Sequence, residues 1–255
     1  MKIEKKIYFV SDAHLGAESI VSSEERELLL IKWLNQIKTD ASEINFLGDI
    51  FDFWFEFKYL VPRNFVRLIA KIRELSDAGI TINFFTGNHD MWIFDYLPTI
   101  CKMNIYREPL IKEINGKFLY FAHGDGLGKY DRKYNLLKRI FASKICQFLF
   151  KIMHPSISFR IADFWSNSSR KKHDYSETIN YEDEFLVKYA KDVLKTQHID
   201  FFIFGHRHIP FQHTIGENVL FTNTGDWFIN FTYSFFDGEN VMLKNYIVTN
   251  GKNLK

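Results

Sequence analysis

The sequence predicts a layered α/β fold, a β-sandwich core flanked by helices, with a helical cap inserted over one end. Three observations point there. Short β-rich apolar runs alternate with amphipathic helical patterns in the first part of the chain. The apolar runs after Phe201 have no long helical pattern between them, and a mainly helical, aromatic and basic stretch from Tyr130 to Trp165 separates the two regions.

The first strand is predicted over Lys6 to Ser11. Ser22 then stands three residues before Glu25, the spacing of a capping box, and Leu28, Ile31, Leu34 and Ile37 follow at helical intervals. Ile44 to Leu47 reads as the second strand. Pro62 opens another helix, with Phe65, Val66, Ile69 and Ile72 on one stripe and Gly79 at its closing turn. Strands over Ile80 to Phe85 and Lys117 to Ala122 come next. Residues 129–173 are read as a cap insertion within one domain spanning residues 1–255, with Phe141, Phe148, Phe150, Phe159, Phe164 and Trp165 set among basic residues. A helical run from Tyr181 to Lys195 returns the chain to the core. Phe201 to Phe204, Val219 to Asn223, Tyr233 to Asp237 and Val241 to Val248 complete the strands, and the lack of long helices between them predicts antiparallel pairing.

Composition bounds the function. With 255 residues, 46% hydrophobic and 25% charged, the chain has enough apolar surface for a sizeable core, which excludes wholesale disorder. The longest stretch without a formal charge, Ala78 to His89, has twelve residues, short of the ~20 that a membrane-spanning helix needs. The N-terminal residues reach Asp12 without an apolar secretory core, so a cytoplasmic protein is expected. Cys101 and Cys146 carry no metal-type spacing and are read as buried small hydrophobes. Residues 129–172 hold eleven Lys or Arg against the acids Asp131 and Asp163, so the segment is +9 and the remainder −7. That asymmetry fits either an anionic partner or a solvated helical face.

The chemistry lies in five short pieces placed where strands end. They are Ser11-Asp12-Ala13-His14, Gly48-Asp49-Ile50-Phe51-Asp52, Gly87-Asn88-His89-Asp90, His123-Gly124-Asp125-Gly126 and Gly205-His206-Arg207-His208. In extended backbone, residues two apart share a side, so Asp12 with His14, and His206 with His208, could each present a pair of ligands to one centre. Adjacent glycines permit close approach of backbone. The donors are oxygen and nitrogen only, which suits Mn²⁺, Fe²⁺, Zn²⁺ or Co²⁺. Seven donors exceed the need of one tetrahedral ion, whereas two ions about 3.5 to 4 Å apart sharing a carboxylate would use them all. The solitary His154, His173, His198 and His213 are read as surface or satisfied core residues.

At these five pieces the sequence resembles the calcineurin-like metallophosphoesterase family, whose signature (D-x-H, G-D, G-N-H-D, an isolated H, and G-H-x-H) stands complete and in order. The resemblance implies a metallophosphoesterase β-sandwich. It also implies two divalent ions, with manganese expected: Asp12, His14 and His208 would hold the first, Asn88, His123 and His206 the second, and Asp49 would bridge. Asn88, His89 and Asp90 would be catalytic, His89 serving the leaving group or the transition state and Asp90 orienting it.

A longer match runs through Gly48-Asp49-Ile50-Phe51-Asp52-Phe53-Trp54, the His123-Gly124-Asp125-Gly126 stretch followed by Asp131 and Tyr134, and the run Ser166-Asn167-Ser168-Ser169-Arg170-Lys171. It is similar to the UDP-2,3-diacylglucosamine diphosphatase branch of lipid A synthesis. That branch reads G-N-R-D where this chain has His89. The resemblance implies hydroxide attack at phosphorus, giving UMP and 2,3-diacylglucosamine 1-phosphate, with the acyl chains held by the cap. Asn88, His89, Asp131, Tyr134, Ser166, Ser169, Arg170, Lys171 and Lys172 are the candidate substrate contacts. Leu136, Leu137, Ile140, Phe141, Ile145, Phe148, Leu149 and Ile152 recur at helical steps in the same basic segment, which suits acyl tails beside a pyrophosphate; the plainer account is a helix packed on the core. A basic aromatic face also suits peripheral contact with anionic membrane lipid, and no nucleic acid is expected. The alternatives are a phosphoesterase for another nucleotide or phosphodiester, and a non-catalytic scaffold of the same fold. Filled ligand positions argue against the scaffold.

Overall fold

Two sheets lie face to face, with helices on both outer sides, in the computed structural model of the chain, which describes residues 5–128, 132–161 and 181–246. The first sheet contains β1 (Lys6–Val10), β2 (Ala41–Phe46), β3 (Thr81–Phe85), β4 (Asn104–Tyr106), β10 (Thr232–Phe236) and β11 (Val241–Asn245), in the order β11-β10-β1-β2-β3-β4. Strands β1 to β4 are parallel, and β10 joins β1 antiparallel. The second sheet contains β5 (Leu110–Ile114), β6 (Lys117–Ala122), β7 (Phe201–Phe204), β8 (Phe211–Ile215) and β9 (Val219–Asn223), in the order β5-β6-β7-β9-β8.

Antiparallel pairing after Phe201 holds for β8 with β9 and for β10 with β11. It fails for β7, which runs parallel to both β6 and β9. The cap and the helix after it form the crossover from β6 to β7. The edge strand β8 then serves as the return, so no helix is needed for β9 to lie parallel to β7.

Between the sheets, Ile7, Phe9, Leu47 and Phe85 meet Leu119, Phe121, Phe201 and Ile203, and the Phe9 and Phe121 rings pack edge-on at 5.2 Å. The outer face of the first sheet is covered by α1 (Ser23–Ile37), α2 (Val66–Asp77) and α3 (Tyr96–Cys101). The Ser22 hydroxyl accepts the Glu25 N–H at 3.2 Å, so the predicted helix start is the observed one. The buried face is turned from the predicted stripe: Leu30, Trp33, Leu34 and Ile37 are buried with Arg26 and Glu27, and Leu28 faces solvent. Helix α2 begins four residues after Pro62, because Phe65 takes a left-handed backbone (φ +67°) ahead of it, and Leu68, Ile69, Ile72 and Leu75 are buried while Val66 is exposed. Trp33 is 1% exposed and packs on Tyr8, Trp227 and Tyr233. Trp33→Ala is expected to destabilise the fold by about 3–5 kcal/mol, read as a lower denaturant midpoint with an unchanged slope.

In the segment that the sequence predicts as a cap, the described residues form α4 (Arg132–Ala142), α5 (Lys144–Ile152) and α6 (155–161), and α7 (Phe185–Leu194) follows on the outer face of the second sheet. One side of the cap docks. Phe150 is buried, and Phe141 and Cys146 join it against Phe53, Phe55 and Trp92, whose indole N–H donates to Phe141 O at 3.0 Å. The other side does not: Leu136, Ile140, Ile145, Phe148, Leu149 and Ile152 are exposed, Ile145 by 74%. An ordinary helix packed on the core accounts for the first set and not the second. Cys101 is buried as expected, while Cys146 is only partly so. His154 and His198 are exposed, His213 bonds Glu182 at the surface, and His173 lies outside the described residues. Among the described residues, no helix is long and apolar enough to cross a membrane.

Candidate metal centre

All five motif loops leave the carboxyl ends of inner strands, β1, β2 and β3 of one sheet and β6 and β7 of the other. Backbone hydrogen bonds tie the loops side by side: Asp12 N–H donates to Gly48 O at 3.0 Å, His14 N–H to Asp49 O at 2.9 Å, and Gly205 N–H to His123 O at 2.9 Å. The side chains do not converge through extended backbone. Asp12, His14, Asp49, His206 and His208 all adopt positive φ, between 41° and 67°. Such conformations cost of order 1–3 kcal/mol each and persist where the surroundings over-determine them. Two glycines make the crowding possible: a Cβ on Gly87 would land on Asp49 Oδ1, and one on Gly205 would stand 2.6 Å from Asp12 Oδ2.

The donors fall into overlapping groups whose atoms lie within 4.8 Å of one another: Asp12, His14 and His208; Asp49, His123 and His206; and His14, Asp49 and His89. His206 and His208 therefore serve different groups, whereas Asp12 and His14 share one. Asn88 joins the second group, its Oδ1 3.3 Å from His123 Nε2. Asp49 lies between them, with Oδ2 3.8 Å from His14 Nε2 and 3.4 Å from His123 Nε2.

Each carboxylate is held by one oxygen. Asp49 Oδ1 accepts the His89 N–H and Asp12 Oδ2 the His206 N–H, both at 2.8 Å. Asp12 Oδ1 is left buried without a well-formed hydrogen bond, facing His208 Nε2 at 3.2 Å. His14 Nε2 and His208 Nε2 point at each other 3.1 Å apart. His123 Nδ1 donates to Leu47 O at 2.6 Å, which fixes the tautomer that leaves Nε2 as the inward donor. An orphaned carboxylate oxygen, converging imidazole nitrogens and an oxygen–nitrogen donor set fit divalent cations.

Burial and mutual charge set the ionisation of these groups. Burial alone would raise Asp12, but the charges of His208 and His123 hold it at about 2. Burial likewise opposes ionisation of Asp49, and the charges of His123 and His89 outweigh it, keeping it well below the usual carboxylate range. Burial would lower His123, yet the Asp49 charge lifts it to about 10, while burial and His123 push His206 down to about 3.

Asp90 does not orient the His89 ring. Its carboxylate accepts the backbone N–H groups of Ile50 (2.9 Å), Phe51 (3.4 Å) and Gly87 (2.8 Å), so it braces the Asp49 and Asn88 loops. Burial and the Asp49 charge raise it to about 7 against those donors. The ring is held by Asp52 instead: His89 Nδ1 lies 2.9 Å from Asp52 O and 3.6 Å from Asp52 Oδ1, and His14 Nδ1 lies 3.3 Å from the same carboxylate oxygen. Asp125, to which the sequence assigns no role, is buried and pairs with Lys138 of α4 at 2.7 Å, which ties α4 to the His123 loop. Spacing three residues after Asp49 and two after His123 was the available signal for these two. Asp131, Ser166, Ser169, Arg170, Lys171 and Lys172 lie outside the described residues, as does the side chain of Tyr134.

The pattern that defines the calcineurin-like phosphoesterases matches residues 5–210. The chain is 35% identical over 257 residues to UDP-2,3-diacylglucosamine hydrolase of Porphyromonas gingivalis, covering 95% of this chain and 98% of that one. It is 25% identical to the protein of that name from Histophilus somni strain 129Pt, covering 88% and 92%, and 31% identical to that from Neisseria meningitidis serogroup B, covering 62% and 64%. With the family pattern spanning residues 5–210 and a 35% identical relative matched over 95% of its length, the chain belongs to the calcineurin-like phosphoesterase family.

Proposed function

We propose that the protein is a hydrolase dependent on two divalent ions that cleaves UDP-2,3-diacylglucosamine to UMP and 2,3-diacylglucosamine 1-phosphate. The observation that carries this reading is the convergence of seven oxygen and nitrogen donors beneath a cap that is both basic and apolar, in a chain similar end to end to a UDP-2,3-diacylglucosamine hydrolase.

Asp12, His14 and His208 would hold one ion, Asn88, His123 and His206 the other, and Asp49 would serve both. Manganese is the expected metal. When bound, the pair supplies acidification of water near neutral pH and charge neutralisation at phosphoryl oxygens. The chain's own residues do the rest. Asn88 and the His89 ring stand at the edge of the donor cluster, where they can meet charge developing on the phosphoryl group, and Asp52 fixes the ring so that no reorganisation is needed during reaction. Asp90 braces the loops that carry Asp49 and Asn88.

The exposed cap face sets Ile140, Ile145, Phe148 and Leu149 among Arg139, Lys144 and Lys151, a surface suited to acyl chains and to anionic headgroups together. The protein would act at the inner face of the cytoplasmic membrane, with Asp131, Tyr134, Ser166, Ser169, Arg170, Lys171 and Lys172 offered to the sugar and phosphates.

Incubation with Mn²⁺ and UDP-2,3-diacylglucosamine should release UMP in stoichiometric amounts; cleavage of simple phosphodiesters with no UMP from the acylated nucleotide would reject the substrate and keep the chemistry. Phe148→Asp is expected to raise KM for the acylated substrate by roughly tenfold or more, because a charge replaces ~1.5–3 kcal/mol of apolar contact, and to leave hydrolysis of bis-p-nitrophenyl phosphate unchanged.

A further inference from the structure

Arg26, on α1, is a fully buried guanidinium lying directly behind the Asp12–His14 loop. Its Nη2 donates to His14 O at 2.9 Å and to Ala17 O at 2.8 Å, its Nε donates to Ala13 O at 3.2 Å, and its Nη1 donates to Val21 O. The Phe228 ring covers the guanidinium at 4.6 Å and turns its edge to the rings of His14, at 5.6 Å, and His208, at 6.4 Å. Phe228 stands in a turn organised by buried Asp226, whose Oδ1 accepts the N–H groups of Phe228, Ile229 and Asn230. From that turn Asn230 Nδ2 donates to His208 O at 3.0 Å.

These grips close on His14 and His208, both of which hold left-handed backbone, and both of which belong to the donor group completed by Asp12. The Asp49, His123 and His206 group is steadied from elsewhere, by Leu47 O on His123 Nδ1 and by the His89 N–H on Asp49. We infer that Arg26, Phe228 and Asn230 are positioning residues that set the metal affinity of the Asp12, His14 and His208 subsite separately from its neighbour; the inference rests on the two-ion reading above. Only a planar fork of donors can take carbonyls from residues 13, 14, 17 and 21 at once; the point charge of a lysine cannot. Loosening the fork frees the His14 carbonyl, and the imidazole that depends on it loses its fixed direction.

The test is calorimetric titration of the metal-free protein with Mn²⁺, alongside metal stoichiometry after dialysis and thermal melting without metal. Wild type should bind two ions. Arg26→Lys should keep one at wild-type affinity and weaken the other by about 10- to 100-fold, the range for lost outer partners of a metal ligand. Phe228→Leu and Asn230→Ala should weaken the same ion by less, and His208→Ala should remove it, marking which ion it is. The two milder variants carry the test if Arg26→Lys does not fold. Wild-type affinity for both ions in folded variants, or equal weakening of both, would overturn the inference while the two-ion reading stands. Wild type binding no ion would overturn both.

Discussion

Asp49→Ala is expected to abolish turnover and strip the protein of both ions. Among the described residues, Asp49 is the carboxylate whose Oδ2 faces imidazoles of both donor groups, so its loss opens each of them at once. Losing a mere outer partner costs roughly 10- to 100-fold in metal affinity, so losing a shared ligand should lower activity by roughly 10³-fold or more. The loops themselves need the other oxygen, which accepts the His89 N–H. Asp49→Asn separates the two roles, since an amide oxygen can still accept that bond while the amide nitrogen cannot bind a cation. Asp49→Asn should melt close to the metal-free wild type, and Asp49→Ala below it, because it also loses the bond from the His89 N–H. Full turnover by a metal-replete Asp49→Ala protein would overturn the role given to this residue.

His89→Ala should leave both ions in place and lower kcat by about 10²–10³-fold, the scale of one removed transition-state donor, with KM changed far less. The ring is held in place for this: its Nδ1 lies 2.9 Å from Asp52 O, and it meets the His14 ring edge-on at 4.7 Å. His89→Arg, which installs the residue that the diphosphatase branch carries here, should recover part of the lost rate. Asp52→Asn keeps the backbone carbonyl that holds Nδ1 and should stay closer to wild type than His89→Ala. Unchanged kcat in His89→Ala, with two ions bound, would remove the ring from the reaction.

The motif loops were legible because their information is local. A left-handed Asp12 or His208 still lies in a short motif just after a strand, so the order of pieces suffices even though both motifs leave extended geometry. The strands missed, β4, β5 and β8, are all sheet edges. Edge strands face solvent and carry residues such as Lys112, Glu113, Gln212 and His213, which mask the apolar signal that inner strands show. The phase of α1 was misread for a related reason: its buried face includes Arg26 and Glu27, and a buried guanidinium satisfied by carbonyls distant in sequence leaves no periodic trace. Asp52 and Asp125 were visible in their motifs, yet their roles depend on contacts from other loops, with His14, His89 and Lys138. Asp90 shows the converse, since nearness in sequence to His89 suggested a bond that its carboxylate makes to Gly87, Ile50 and Phe51 instead.

The most direct measurement is anomalous diffraction from crystals of the protein soaked in Mn²⁺. The account predicts two peaks about 3.5–4 Å apart, one on each side of Asp49 Oδ2 and within bonding distance of the His14 and His123 Nε2 atoms. A single peak held away from Asp49, or none at saturating metal, would contradict it.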